Sequence, residues 1–157
     1  MATNVTRLLV QEGIAYETRE YPVDERDLSG IHAAEALGLP PEQLFKTLVL
    51  HGERTGLFVC MIPCAEAIDL RKAASAAGDK ACAMLSMKEL PERVGYLRGA
   101  CSPIGMKRKL PTFIDETWQF HDRIAISAGV RGAMLLVSPQ ALMRFVDAKS
   151  CDLISLN

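Results

Sequence analysis

The sequence predicts an α+β (mixed α/β) fold, one domain over residues 1–157 with a mixed, barrel-like β-sheet surrounded by helices. Three observations carry this expectation. Helical and strand patterns are interspersed along the chain without the regular alternation of a βαβ repeat. Two hairpin-like pairs of apolar segments argue for a mixed sheet. The 157 residues are 49% hydrophobic and 24% charged, which is ordinary for a globular chain and enough to bury a full core without staples.

In chain order, residues 4–12 place Val5, Leu8 and Leu9 at helical spacing, and Gly13 serves as the stop. Residues 14–21 alternate enough for a strand, and 24–30 form an acidic loop. A short helix over 31–37 ends at Gly38, with Pro40 and Pro41 beyond it. Residues 44–50 and 56–62 are rich in Val, Leu and Phe, and the polar turn 51–55 between them makes a hairpin. Asp69 caps a helix that reaches Ala77 before Gly78. A short strand at 81–85 follows, and Ser86 with Glu89 reads as a capping box that starts another helix. Segments 113–115, 123–127 and 133–137 are strand candidates, and Ser138-Pro139 opens a helix through Val146.

The stretch 95–115, GYLRGACSPIGMKRKLPTFID, concentrates the unusual chemistry. Gly95, Gly99 and Gly105 surround Ser102-Pro103, so the backbone can take φ > 0 and approach a bound group closely, while Pro103 stiffens the loop. The cations Lys107, Arg108 and Lys109 form its rim. Net charge is −1, which excludes general polyanion binding by the molecule as a whole, but the charge is uneven. Residues 1–45 hold three arginines against eight carboxylates, and residues 71–109 hold nine cations against three. The basic segment is either a solvated face or the footprint of a local anionic partner.

Individual residues carry alternatives. Lys46 interrupts the apolar run 44–50 and shares a strand face with Leu44 and Leu48. It is either a buried cation that meets an anion or an edge-strand lysine that reaches water. Ser102 needs a base to act as a nucleophile, and His32, His51 and His121 carry no partner signature. Cys101 is a thiolate if nearby cations lower its pKa, or a small apolar loop residue. Asp115 either accepts hydrogen bonds from the glycine loop or a substrate amine, or caps a turn. A second glycine-punctuated loop runs Ser127-Ala128-Gly129-Val130-Arg131-Gly132. The five cysteines lack CxxC spacing, so no disulfide framework, metal site or cofactor is implied, and reduced thiols in the cytoplasm are the default. Nothing approaches a secretory signal or the ~20 apolar residues of a membrane span.

The ordered set Phe45-Lys46-Thr47-Leu48, Asp69-Leu70-Arg71-Lys72, Gly95-Tyr96 with Gly99, Ser102-Pro103-Ile104-Gly105, Lys109 through Asp115, and Ser127 through Gly132 resembles the YbaK/EbsC-type aminoacyl-tRNA deacylases, relatives of the editing domain of bacterial prolyl-tRNA synthetases. The resemblance covers roughly residues 4–150. It implies the barrel-like mixed fold and removal of mischarged amino acids from tRNA, above all cysteine from Cys-tRNA(Pro), with Cys-tRNA(Cys) as a further substrate. It implies that Lys46 holds the 3′-terminal nucleotide and that Tyr21 is a pocket aromatic. The loop Gly99, Ala100, Cys101, Ser102 would embrace the aminoacyl ester. Pro103, Gly105, Asp115, Gly129 and Arg131 join the implied substrate site, and Arg98, Lys107, Arg108 and Lys109 the contact with the tRNA acceptor end. Met134 stands where the family's acidic residue is expected. The implied chemistry is attack of the substrate's own cysteine thiol on its ester, which needs no triad and no metal, and prolyl-tRNA synthetase is an implied partner. The alternatives are a deacylase for another small aminoacyl-tRNA by water attack, or a non-catalytic module that binds a nucleotide or tRNA end.

Overall fold

The computed structural model describes residues 2–156. Helix α1 (Asn4–Gln11) starts at Thr3, whose hydroxyl accepts from Thr6 N–H while Thr6 returns a bond to Thr3 N–H. Strand β1 (Tyr16–Glu20) follows, then α2 (Gly30–Leu37), capped by Ser29 and closed by the left-handed Gly38. A 3₁₀ turn at Pro41–Gln43 leads into the hairpin of β2 (Phe45–Gly52) and β3 (Gly56–Pro63). Helix α3 (Leu70–Ala77) begins at Asp69, whose carboxylate accepts from Arg71 and Lys72 N–H. Strand β4 (Cys82–Met84), helix α4 (Leu90–Val94) and strand β5 (Thr112–Asp115) come next. After a 3₁₀ helix at Glu116–Phe120 come β6 (Ile124–Ser127), β7 (Ala133–Val137), α5 (Pro139–Val146) and β8 (Ala148–Cys151).

The strands form two sheets. One is a mixed five-stranded sheet ordered β4-β2-β3-β5-β8, in which β5 runs parallel to both neighbours. The other is an antiparallel sheet ordered β1-β7-β6. A parallel bridge between Leu44 and Ala125 joins them. The expected barrel-like sheet is therefore two sheets meeting at one seam, not a closed barrel. Phe45, Val49, Met61 and Ile114 from one sheet interlock with Ile124, Ile126, Leu135 and Val137 from the other, and α1 and α5 add Val5, Leu9 and Leu142. On the outer faces α2 packs Ala33 and Ala34 against Leu44 and Leu136, and α3 packs Ala73 against Leu50, Phe58 and Ile62.

One expected cap is absent. The helix near Ser86 begins only at Leu90, and Glu89 makes no side-chain cap bond. Ser86 Oγ instead accepts from Lys88 N–H at 3.3 Å, forming a local turn, and Pro91 is confined to the first helical turn. Strand β8 and the 3₁₀ segments are additions to the elements expected. Among the described residues no helix is long and apolar enough to cross a membrane.

Candidate functional site

The candidate site is a cleft of about 360 Å³ beside the seam between the sheets. Its floor is the start of β2, Leu44 to Leu48, with Cys64 from the end of β3 and Ser127 and Met134 from β6 and β7. Its walls are the segment Arg26 to Gly30 before α2, Met87, and the loop residues Arg98, Gly99 and Cys101. Helix α2 starts hard against β3, where a Cβ on Gly30 would lie 2.6 Å from Cys64 Cβ. That close backbone approach sets the Arg26–Gly30 wall beside Cys64.

Lys46 is half-buried on this floor and makes no ion pair among the described residues. Burial holds its ammonium below the ordinary lysine value, against the pull of Cys64 and Glu66. Strand β2 lies inside the sheet, but β4 pairs only with Leu50 to Gly52, so the edge at Lys46 is open beside the cleft. The next residue, Thr47, has a buried hydroxyl with no hydrogen-bond partner among the described residues. The Lys46 ammonium thus stands on the cleft floor where an anionic or polar ligand would meet it, whereas the Thr47 hydroxyl is buried away from the cleft.

The glycine loop faces them. Gly99 has φ +84°, and a Cβ there would lie 3.2 Å from Leu28 Cβ, so both conformation and the opposite wall favour glycine. Ala100 is buried behind it, its N–H closing a turn to Leu97 O at 3.0 Å. Two side chains from the second glycine loop reach this backbone. Ser127 Oγ donates to Ala100 O at 2.9 Å and Arg131 Nε donates to Arg98 O at 2.8 Å. Ser127 Oγ also accepts from Gly129 N–H at 3.1 Å, and Thr3 Oγ donates to Ala128 O at 2.8 Å, tying the second loop to α1.

Of the residues expected from sequence, the structure brings Lys46, Gly99, Cys101 and Arg98 into the cleft, with Ala100 and Arg131 directly behind the loop. Burial pushes the Cys101 thiol up to about 12, so it borders the cleft protonated and is not a thiolate at neutral pH. Cys64 is likewise raised by burial, and its thiol donates to Pro41 O at 3.3 Å. Tyr21 packs behind the cleft, its ring edge-on to His32 at 6.4 Å, among the apolar residues around Met134.

Other expected residues lie elsewhere. Ser102 is fully buried, and its Oγ accepts from Ile104 N–H at 3.2 Å, which makes it a former of the Pro103–Gly105 turn. Tyr96 OH donates to Ile104 O in the same turn. Gly129 packs against Val5 and Tyr96. Asp115 is fully buried, and its carboxylate accepts from Thr117 N–H, Thr117 Oγ and Leu153 N–H. Arg108 and Lys109 line a different depression, with Pro103, Gly105 and Phe145, that shares no residue with the Lys46 cleft. Lys107 donates to Glu92 O at 2.8 Å. Sequence reasoning missed the Arg26–Gly30 wall, Met87 and Cys64, which no local pattern connects to Lys46. Ser127 was visible only as part of a glycine-punctuated loop.

The aminoacyl-tRNA editing domain family matches residues 29–145. EbsC of Enterococcus faecalis, a candidate Cys-tRNA(Pro)/Cys-tRNA(Cys) deacylase, is 38% identical over 96% of this chain and 92% of its own. YwhH of Bacillus subtilis, whose function is not characterised, is 26% identical over 83% and 85%. The solved structure of a candidate trans-editing enzyme for prolyl-tRNA synthetase superposes with a TM-score of 0.85 at 24% identity, covering 99% of each chain. By sequence match along most of its length, and with the same fold, the chain belongs to the aminoacyl-tRNA editing domain family, in its YbaK/EbsC-like branch.

Proposed function

We propose that this chain is a trans-acting deacylase that removes cysteine from Cys-tRNA(Pro). The observation that carries the reading is the unpaired, half-buried Lys46 facing the Gly99 loop across an open cleft. A cation there suits a phosphate or ribose of the terminal nucleotide. Backbone N–H groups of the loop suit the ester carbonyl and the oxyanion that forms on it. The 38% identity to EbsC supports the choice of substrate.

The protonated state of Cys64 and Cys101 favours a nucleophile supplied by the substrate. In this reading the cysteinyl thiol attacks its own ester carbonyl. The S–C bond forms, the C–O bond to the ribose breaks, the thiol proton ends on the ribose oxygen, and cysteine leaves as a thiolactone. The protein contributes position and a preorganised oxyanion site, and near-attack geometry of this kind contributes ~7–11 kcal/mol. In this reading a cleft of about 360 Å³ takes the acceptor end, and selection of the tRNA falls to a partner such as prolyl-tRNA synthetase.

The test is a panel of charged tRNAs with wild type and Lys46→Ala. Release of cysteine from Cys-tRNA(Pro), lost by about 100-fold or more in Lys46→Ala, supports the reading. No release from any charged tRNA overturns it. Serine esters are expected to react far more slowly than cysteine esters, and equal rates would point to water attack instead of cyclisation.

A further inference from the structure

The second glycine loop, between β6 and β7, has no side chain on the reacting ester in the reading above, yet it spends two side chains on the first. We propose that Ser127 and Arg131 are positioning residues that aim the N–H groups of Gly99 and Cys101 into the cleft by gripping the carbonyls on the far side of the same peptide planes. This rests on the deacylase reading for its reaction, but its geometry stands apart from it.

The carbonyl of residue i and the N–H of residue i+1 share one rigid plane, and in a trans peptide they point in opposite directions. All peptide bonds described here are trans. The carbonyl of Arg98 therefore shares a plane with Gly99 N–H, and the carbonyl of Ala100 shares one with Cys101 N–H. Arg131 Nε holds the first carbonyl at 2.8 Å, and Ser127 Oγ holds the second at 2.9 Å. The intervening Ala100 N–H is already used in the turn to Leu97 O. Among the described residues, Gly99 N–H and Cys101 N–H have no protein acceptor, and both residues line the cleft. Two grips thus fix the planes of two free donors whose residues, Gly99 and Cys101, line the cleft.

The braces are themselves anchored. Ser127 is buried, and its hydroxyl is fixed by the bond it accepts from Gly129 N–H. The loop is held in turn by Thr3 at the start of α1. Gly129, with φ +91°, sits so close to Val5 that a Cβ would lie 2.8 Å from Val5 Cγ2. An arginine in such a loop would ordinarily be read as a phosphate contact. Here its Nε is committed to a backbone carbonyl, which makes its planar geometry matter as well as its charge.

The experiment measures kcat, KM and the salt dependence of kcat/KM on Cys-tRNA(Pro), with melting temperature and the amide resonances of Gly99 and Cys101, for Arg131→Lys, Ser127→Ala, Ser127→Thr and the double variant Ser127→Ala/Arg131→Lys. Arg131→Lys keeps the charge but loses the planar Nε donor. The brace predicts a fall in kcat of about 10- to 100-fold in Arg131→Lys and in Ser127→Ala, with KM and the salt slope unchanged. Ser127→Thr, which keeps the hydroxyl, retains most of kcat. The double variant falls little below the worse single one, because both act on one loop. The amides of Gly99 and Cys101 shift in each brace-breaking variant without substrate. Wild-type kcat in Arg131→Lys, with Gly99 unmoved, overturns the brace. So does a rise in KM with a salt slope reduced by about one, the mark of a lost phosphate contact. If Ser127→Ala does not fold, Arg131→Lys and Ser127→Thr decide the matter. A wild-type protein that releases no amino acid overturns the deacylase reading alone, and the amide shifts then decide the brace.

Discussion

At Lys46 a half-buried cation makes no ion pair among the described residues, and Glu66 and Cys64 only partly offset the cost of its burial. Folding lowers its pKa, so between the folded and unfolded values the unfolded chain holds more protons, and stability rises with pH through that window. Lysine at this position is therefore a net cost to the fold that an anionic ligand would offset. Replacing it by a neutral residue of similar length is expected to separate stability from activity. Lys46→Met should melt about 2 °C higher than wild type and lose deacylation, and a variant that melts lower would show that the ammonium has a stabilising partner. The anomaly was legible because a lysine within an apolar strand run has few structural reasons to be there. Ser102 and Asp115 drew attention for their chemistry, but function depends on exposure, and both are fully buried with their oxygens occupied by backbone donors.

The β2–β3 hairpin shows how an element is held by a residue outside it. Asp79, just beyond α3, accepts from Arg54 N–H, Thr55 N–H and Thr55 Oγ at 2.9 Å each, and from Lys80 N–H at 2.7 Å. A Cβ on Gly52 would lie 2.3 Å from that carboxylate, so glycine is required at the hairpin shoulder. The backbone donors of Arg54 and Thr55 hold the Asp79 carboxyl well below the usual carboxylate range. Its stabilisation is complete above the ordinary aspartate pKa and is lost as pH falls through the depressed folded value. Asp79→Asn should thus melt below wild type at neutral pH, and the gap should close in acid; a gap that stays constant to low pH would mean the charge is not what holds the turn.

Elements with local signals were the legible ones. Asp69 and Ser138-Pro139 begin α3 and α5 where expected, because a cap acts within one turn. Strand β8, Ala-Lys-Ser-Cys, has no apolar alternation, and it exists because β5 offers a parallel edge far back in the chain. The Ser127–Ala100 bond, 27 residues apart, was equally invisible for the same reason.

Across the whole molecule the charge asymmetry divides between two places. Arg98 and Lys46 line the cleft, while Arg108 and Lys109 line a separate depression, and Lys109 also lies 3.7 Å from Asp147. If Lys107, Arg108 and Lys109 meet the acceptor stem, replacing all three by glutamine should weaken tRNA binding, flatten its salt dependence by about two to three units of log–log slope and leave kcat intact. An unchanged slope would return this run to an ordinary solvated face. The sequence pattern conveyed the fold class through its mixture of hairpins and helices, but the seam between the two sheets, where Leu44 bridges Ala125 and the two apolar faces interlock, is a long-range pairing that no local pattern encodes.

The burial of Asp115 has a consequence in time. Its carboxylate lies at the end of β5, and one of its donors is Leu153 N–H, 38 residues downstream. During synthesis β5 and the Thr117 donors leave the ribosome before Leu153 does, and burying a carboxylate with one of its oxygens unpaired is costly. The carboxylate at the end of β5 can therefore be fully paired only once the segment after β8 has been made, later than every residue that lines the cleft.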